Sequence, residues 1–146
     1  MSNHFLSTQV GYVYLPTTNI ERTTLWYTQN LRLKLIETFE DRGSLISILH
    51  FPHKHAIAIV LVQTTEDKPL YIARNGSPYP VLTINCPDIE YTHQYLSDHQ
   101  VEVQEIRTLG NGEAKYFYFK DDQGNLLEAA WSQWDATDEF KDSFLN

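Results

Sequence analysis

Thiol chemistry is almost absent from this chain, which has one cysteine, Cys86, in 146 residues. No intrachain disulfide can form, and that agrees with a reducing compartment. Long hydrophobic runs are missing as well. The longest, Ala56 to Val62, is far shorter than the roughly 20 apolar residues a membrane-spanning helix needs. The amino terminus, Met1 to Gln9, has neither the cationic start nor the apolar stretch of a secretion signal, so the expected location is the cytoplasm. Positive charge is scarce too: 11 Lys and Arg against 19 Asp and Glu leave a net charge of −8. This argues against nucleic acid as a partner, because binding to phosphates relies on Lys and Arg releasing counterions. A neutral or cationic small molecule suits the surface better. The remaining composition, 42% hydrophobic, is that of one globular domain large enough to bury a core.

What the chain does have is a repeat. At an offset of 69 residues, Asn19-Ile20-Glu21-Arg22-Thr23 falls on Asp88-Ile89-Glu90-Tyr91-Thr92, and Val13-Tyr14-Leu15 on Leu82-Thr83-Ile84. Ala56 to Val62 falls on Asn125 to Trp131 at the same spacing. Two copies of one supersecondary unit are expected. In unit one, Gln9 to Leu15 reads as a strand, and Asn19 offers an N-cap to a helix with Ile20, Thr24, Tyr27 and Leu31 at helical spacing. Leu33 to Phe39, Ser44 to His50 and Ala56 to Gln63 read as three further strands, giving βαβββ. Unit two repeats the order with Val81 to Asn85, a helix from Asp88 to about His99, then Val101 to Arg107, Lys115 to Phe119 and Asn125 to Trp131. The division is unit one at about 9–63, a surface linker at 64–78, unit two at about 79–132 and a tail at 133–146. In that tail Phe140 and Phe144 suggest a short amphipathic helix.

The first and last strands of each unit are apolar on both faces. One face must meet the helix, and the other must meet something else that is dry. Two such units joined make a half-barrel sheet with a concave cavity and helices on the outer face, an α+β fold suited to holding a small ligand. Alternation along the strands places Tyr12, Tyr14, Ile57, Ile59, Leu61, Val81, Thr83, Leu126, Glu128 and Ala130 together on the concave side. Glu128 is the single carboxylate among them.

Paired βαβββ units, Asn19-Ile20-Glu21 leading a helix with Trp26-Tyr27, and the run Tyr116 to Glu128 with its Asp121-Asp122-Gln123-Gly124-Asn125 turn together resemble the glyoxalase/bleomycin resistance protein/dioxygenase group, the vicinal oxygen chelate superfamily. The resemblance covers about residues 9 to 132. Arg32 departs from it, since a glycine usually follows the helix there. The resemblance implies a concave site where metal-using members hold a divalent ion through residues of the first and last strands. At the 69-residue offset those positions carry Tyr12, Ile59, Val81 and Glu128. One carboxylate cannot hold such an ion, for which protein sites need about three donors. No metal and no other cofactor is expected.

Glu128 then reads as a carboxylate in an apolar pocket, where desolvation raises its pKa. It would accept a hydrogen bond, attract an amine or act as a catalytic base, or else be satisfied by the Tyr12 or Tyr14 hydroxyl. His50, His53 and His55 read as turn histidines, Cys86 as a packed thiol, and Gly110-Asn111-Gly112 as a rim over the cavity. The function expected is that of a metal-free small-molecule binder, similar to the bleomycin-resistance branch. The alternatives are a metal-dependent or Glu128-dependent lyase, isomerase or dioxygenase of the same superfamily, and a scaffold whose cavity is filled. Strand edges that want partners, together with the resemblance, lead us to expect a homodimer.

Overall fold

Residues 4–135 are described by the structure, a computed structural model; the expected helix around Phe140 and Phe144 lies outside them. Two helices start where the sequence offers caps. Asn19 Oδ1 accepts from the Arg22 N–H at 3.1 Å and opens α1 (Ile20–Asn30), and Asp88 Oδ1 accepts from the Tyr91 N–H at 3.1 Å and opens α2 (Ile89–Asp98). Both helices carry an acidic residue in the first turn, Glu21 and Glu90, where the helix dipole favours negative charge.

Unit one contributes β1 (Tyr12–Thr17), β2 (Lys34–Asp41), β3 (Ser44–His50) and β4 (Ala58–Gln63), paired in the order β1-β4-β3-β2. β1 runs parallel to β4 and the other pairs are antiparallel. Arg42 and Gly43, both at positive φ, close the tight turn between β2 and β3. A hairpin of β5 (Ile72–Arg74) and β6 (Ser77–Tyr79) follows, turning at Asn75 and Gly76, which again have positive φ. The segment expected to be only a surface linker therefore has a structure of its own, set by an Asn-Gly turn.

Unit two repeats the order with β7 (Thr83–Asn85), β8 (Arg107–Leu109), β9 (Ala114–Lys120) and β10 (Leu126–Ser132), paired β7-β10-β9-β8. The strand expected at Val101 to Arg107 is largely absent. Val101 is turned into the core by a left-handed Gln100, and the Gln104 carbonyl accepts from His93 Nε2–H at 2.9 Å, so a single bridge, Val103 to Phe119, precedes the β8 ladder.

The fold is α+β, with two four-stranded sheets that do not close. One core joins them. Leu15, Tyr27, Leu49, Ile59 and Leu61 of unit one cluster with Ile84, Leu96, Phe117, Phe119 and Leu127 of unit two, all buried. Each large apolar side chain so buried is worth about 1.5–3 kcal/mol. Both sheets thus spend their helix-facing sides on this core; on their opposite faces Tyr12, Tyr14 and Thr83 are exposed while Ile46, Val60 and Leu126 are buried.

Candidate functional site

Strand register decides which residues stand on the open faces. Tyr12 pairs with Ala58, Tyr14 with Val60 and Pro16 with Val62. Directly paired residues share a face, so Ala58, Val60 and Val62 accompany the tyrosines. Ile59 and Leu61 pair with Val13 and Leu15 and are 1% and 0% exposed in the core. Their expected place beside Tyr12 and Tyr14 is corrected accordingly, and Ile57 lies just ahead of β4. The cause is a one-residue difference in length. Tyr14 and Thr83 match at 69 residues, but Tyr14 pairs with Val60 and Thr83 with Glu128, so β4 and β10 match at 68. A slip of one inverts the parity of a strand. α2, 10 residues against the 11 of α1, already shows the shortening.

In unit two the expected set fares better. Glu128 pairs with Thr83 on one side and Tyr118 on the other, and all three share the open face. Leu126 and Ala130 stand on the same face of β10, with Leu126 buried. Val81 sits just before β7, its N–H donating to the Leu126 carbonyl at 3.1 Å, and it packs against the core cluster.

Around Glu128 the alternation Tyr116-Phe117-Tyr118-Phe119 sends phenylalanines into the core and tyrosines outward. The Tyr116 and Tyr118 rings lie 5.7 Å apart, and Tyr79 from the β5–β6 hairpin meets Tyr118 edge-on at 6.1 Å. Arg74 of the same hairpin lies over the Tyr79 ring at 4.6 Å. Tyr79 and Arg74 were not foreseen, because nothing in the sequence joins that hairpin to β9. The alternating aromatic strand, by contrast, was a readable signal for Tyr116 and Tyr118. Burial raises the Glu128 pKa. Burial and then the Glu128 charge raise that of Tyr118. Among the described residues no cation pairs with Glu128. Nor does Tyr12 or Tyr14 reach it: their rings pack edge to face on each other at 5.5 Å, and Arg42 donates to the Tyr14 hydroxyl at 3.3 Å.

On sheet one the open face deepens into a cleft of about 630 Å³. Tyr14, Pro16, Ile46, Val62 and Leu70 line it with apolar surface, and Asp41, Arg42, Glu66 and Lys68 supply charge. Tyr14 alone of the expected site residues lies in it.

The Asp121 to Asn125 turn has a structural task. Asp121 is buried and takes four donors: the Tyr27 hydroxyl at 2.6 Å, the Asn125 side-chain amide at 2.8 Å, and the Gln123 and Asn125 N–H groups at 2.9 Å each. Asp122 accepts from Arg22 and Thr23 of α1 at 2.7 and 2.8 Å. The turn locks the end of unit two onto the helix of unit one. Cys86 is buried, and burial pushes its thiol up to about 11. That places it far from the thiolate a nucleophile needs.

The divalent ion of metal-using relatives does not fit these residues. With the register corrected, the first and last strands offer Tyr12 or Tyr14, Val60, Val81 or Thr83, and Glu128. That set contains one carboxylate where about three donors are needed. Among the described residues no group of three or more His, Cys, Asp and Glu is placed so that it could hold a metal ion.

Known structures share this fold along nearly their whole length. A genomically encoded fosfomycin resistance protein, FosX, from Listeria monocytogenes superposes with a TM-score of 0.69 at 13% identity, over 88% of this chain and 97% of its own. An antibiotic binding protein, TnmS3, from Streptomyces sp. CB03234 gives 0.69 at 16% identity, over 89% and 100%. A glyoxylase/bleomycin resistance protein/dioxygenase domain from Frankia sp. EAN1pec gives 0.69 at 16%, over 87% and 99%. No curated protein matches the sequence. The family model matches residues 4–129, and with the paired βαβββ units in view the chain belongs to the glyoxalase/bleomycin resistance protein/dioxygenase superfamily.

Proposed function

We propose that this protein binds a small organic molecule on its open sheet faces without a divalent metal, as a cytoplasmic homodimer. The observation that carries the reading is Glu128: a half-buried carboxylate on an aromatic face with no cation paired to it among the described residues. Partial burial already raises its pKa, and a ligand that covers it would have to supply a donor or a cation in place of water.

The shared core supports pairing of two chains. The helix-facing sides of both sheets are already used within one chain, so a lone chain leaves Tyr12 53% and Tyr14 46% exposed. Unit one of one copy laid opposite unit two of another would enclose the tyrosines, the cleft and Glu128 in one cavity. The antibiotic-binding and antibiotic-resistance relatives are consistent with a ligand of drug size.

The experiment is a thermal-shift screen in chelator with drug-sized aromatic and amine compounds, repeated on Glu128→Gln. A ligand of the native state raises the melting temperature. The expected result is a set of stabilising compounds whose effect weakens in the variant. Stabilisation only after adding zinc, nickel or manganese would overturn the metal-free reading. A second reading, in which Glu128 is a general base, is favoured by its raised pKa. It is distinguished by chemical turnover of a bound compound that Glu128→Gln abolishes while binding persists.

A further inference from the structure

We infer that Tyr79, Tyr116, Tyr118 and Glu128 form a carboxylate-backed aromatic cradle for an organic ammonium group on the open face of sheet two. The inference rests on the small-molecule reading above and names the chemistry of its ligand. Three phenol rings from two elements converge here. Tyr116 and Tyr118 rise from β9 at 5.7 Å between ring centres, and Tyr79 closes against Tyr118 at 6.1 Å with its plane turned by 78°. Edge-to-face rings at this spacing present a ring face to one side of the corner they make. Glu128 is the direct cross-strand partner of Tyr118 and stands on the same face.

Ring faces attract cations through the aromatic quadrupole, and quaternary ammonium groups are the ligands for which such cages are best suited. The site already shows the taste: the Arg74 guanidinium lies 4.6 Å from the centre of the Tyr79 ring. Arg74 is tethered to the hairpin and is not paired with Glu128. It is therefore a competitor for one ring face and leaves the carboxylate to an external cation. An anion is disfavoured by Glu128, and a neutral molecule gains at most a hydrogen bond from it where a cation gains charge attraction as well. The net charge of −8 adds a long-range attraction of the same sign.

The test is a titration by protein NMR of three probes of one shape: choline, the neutral 3,3-dimethylbutan-1-ol and the anionic 3,3-dimethylbutyrate. Choline should bind at least about tenfold more tightly than the neutral probe, with shifts at Tyr79, Tyr116 and Tyr118. Glu128→Gln and Tyr118→Leu should each remove most of that preference, and Arg74→Ala should strengthen choline binding by freeing a ring face and removing a like charge. Equal binding of choline and the alcohol would overturn the ammonium cradle while leaving the small-molecule reading intact. Tighter binding of the carboxylate, or loss of choline binding in Arg74→Ala, would overturn it as well. Absence of any probe binding in a protein that still responds to compounds in the thermal screen would refute the cradle alone; silence in both would refute the two readings together.

Discussion

Arg32 shows how a residue can break a family pattern and remain in place. It follows α1 at φ 56, in the left-handed region that glycine adopts without strain. Its guanidinium lies over the Tyr95 ring at 4.7 Å and donates to the Tyr91 hydroxyl at 3.3 Å, tying the end of α1 to α2. A cation on an exposed ring contributes about 0.5–1 kcal/mol, which offsets part of the cost of roughly 1–2 kcal/mol for a side chain in this conformation. Glu128 is the other residue whose setting has a consequence. Burial raises its folded pKa above the unfolded value. Its contribution to stability is then full below the ordinary carboxylate range and is lost as pH rises through the folded pKa. Glu128→Gln does not titrate, so its melting temperature relative to the parent should be higher near neutrality than in acid. Melting curves for both proteins across that range check the sign, and a difference that stays constant with pH contradicts it.

Among the elements, the turn at Asp121 to Asn125 and the strand register carry the main lessons. Tyr27 is fully buried and spends its hydroxyl on Asp121, so Tyr27→Phe leaves a buried carboxyl short of a donor. The expected loss is about 1–3 kcal/mol in urea unfolding, with the two units still folding as one because the Trp26 ring remains stacked on Phe119 at 6.4 Å. Unchanged stability would show that the turn is not a lock. In the sequence this turn is legible as a motif but not as a lock, because its partners, Arg22, Thr23 and Tyr27, lie about a hundred residues earlier. The two units, the Asn19 cap, and the strands at Ser44 to His50 and around Lys115 to Phe119 are legible, since caps and alternation are local signals. The face of β4 is not. Its six residues are apolar on both sides apart from Gln63, so composition gives no parity, and the one-residue difference between the units inverted the placement of Ile59 and Leu61. β10 escapes the ambiguity because Glu128 marks its open face.

For the whole molecule the question is what covers two open sheet faces. The 630 Å³ cleft lies on sheet one and the aromatic cluster on sheet two, and no helix among the described residues is long and apolar enough to place them in a membrane. In the proposed homodimer a second copy would bring the Glu128 face of one chain to the Tyr14 face of the other and would make one cavity from two half-sites. Native mass spectrometry of chelator-dialysed protein reads chain number, retained metal and bound small molecule together. The account predicts a species of twice 17.0 kDa without stoichiometric zinc, nickel, manganese or iron, which gains the mass of an organic compound that stabilises it in the thermal screen. A species of 17.0 kDa at micromolar concentration, or one divalent ion retained per chain, would contradict it.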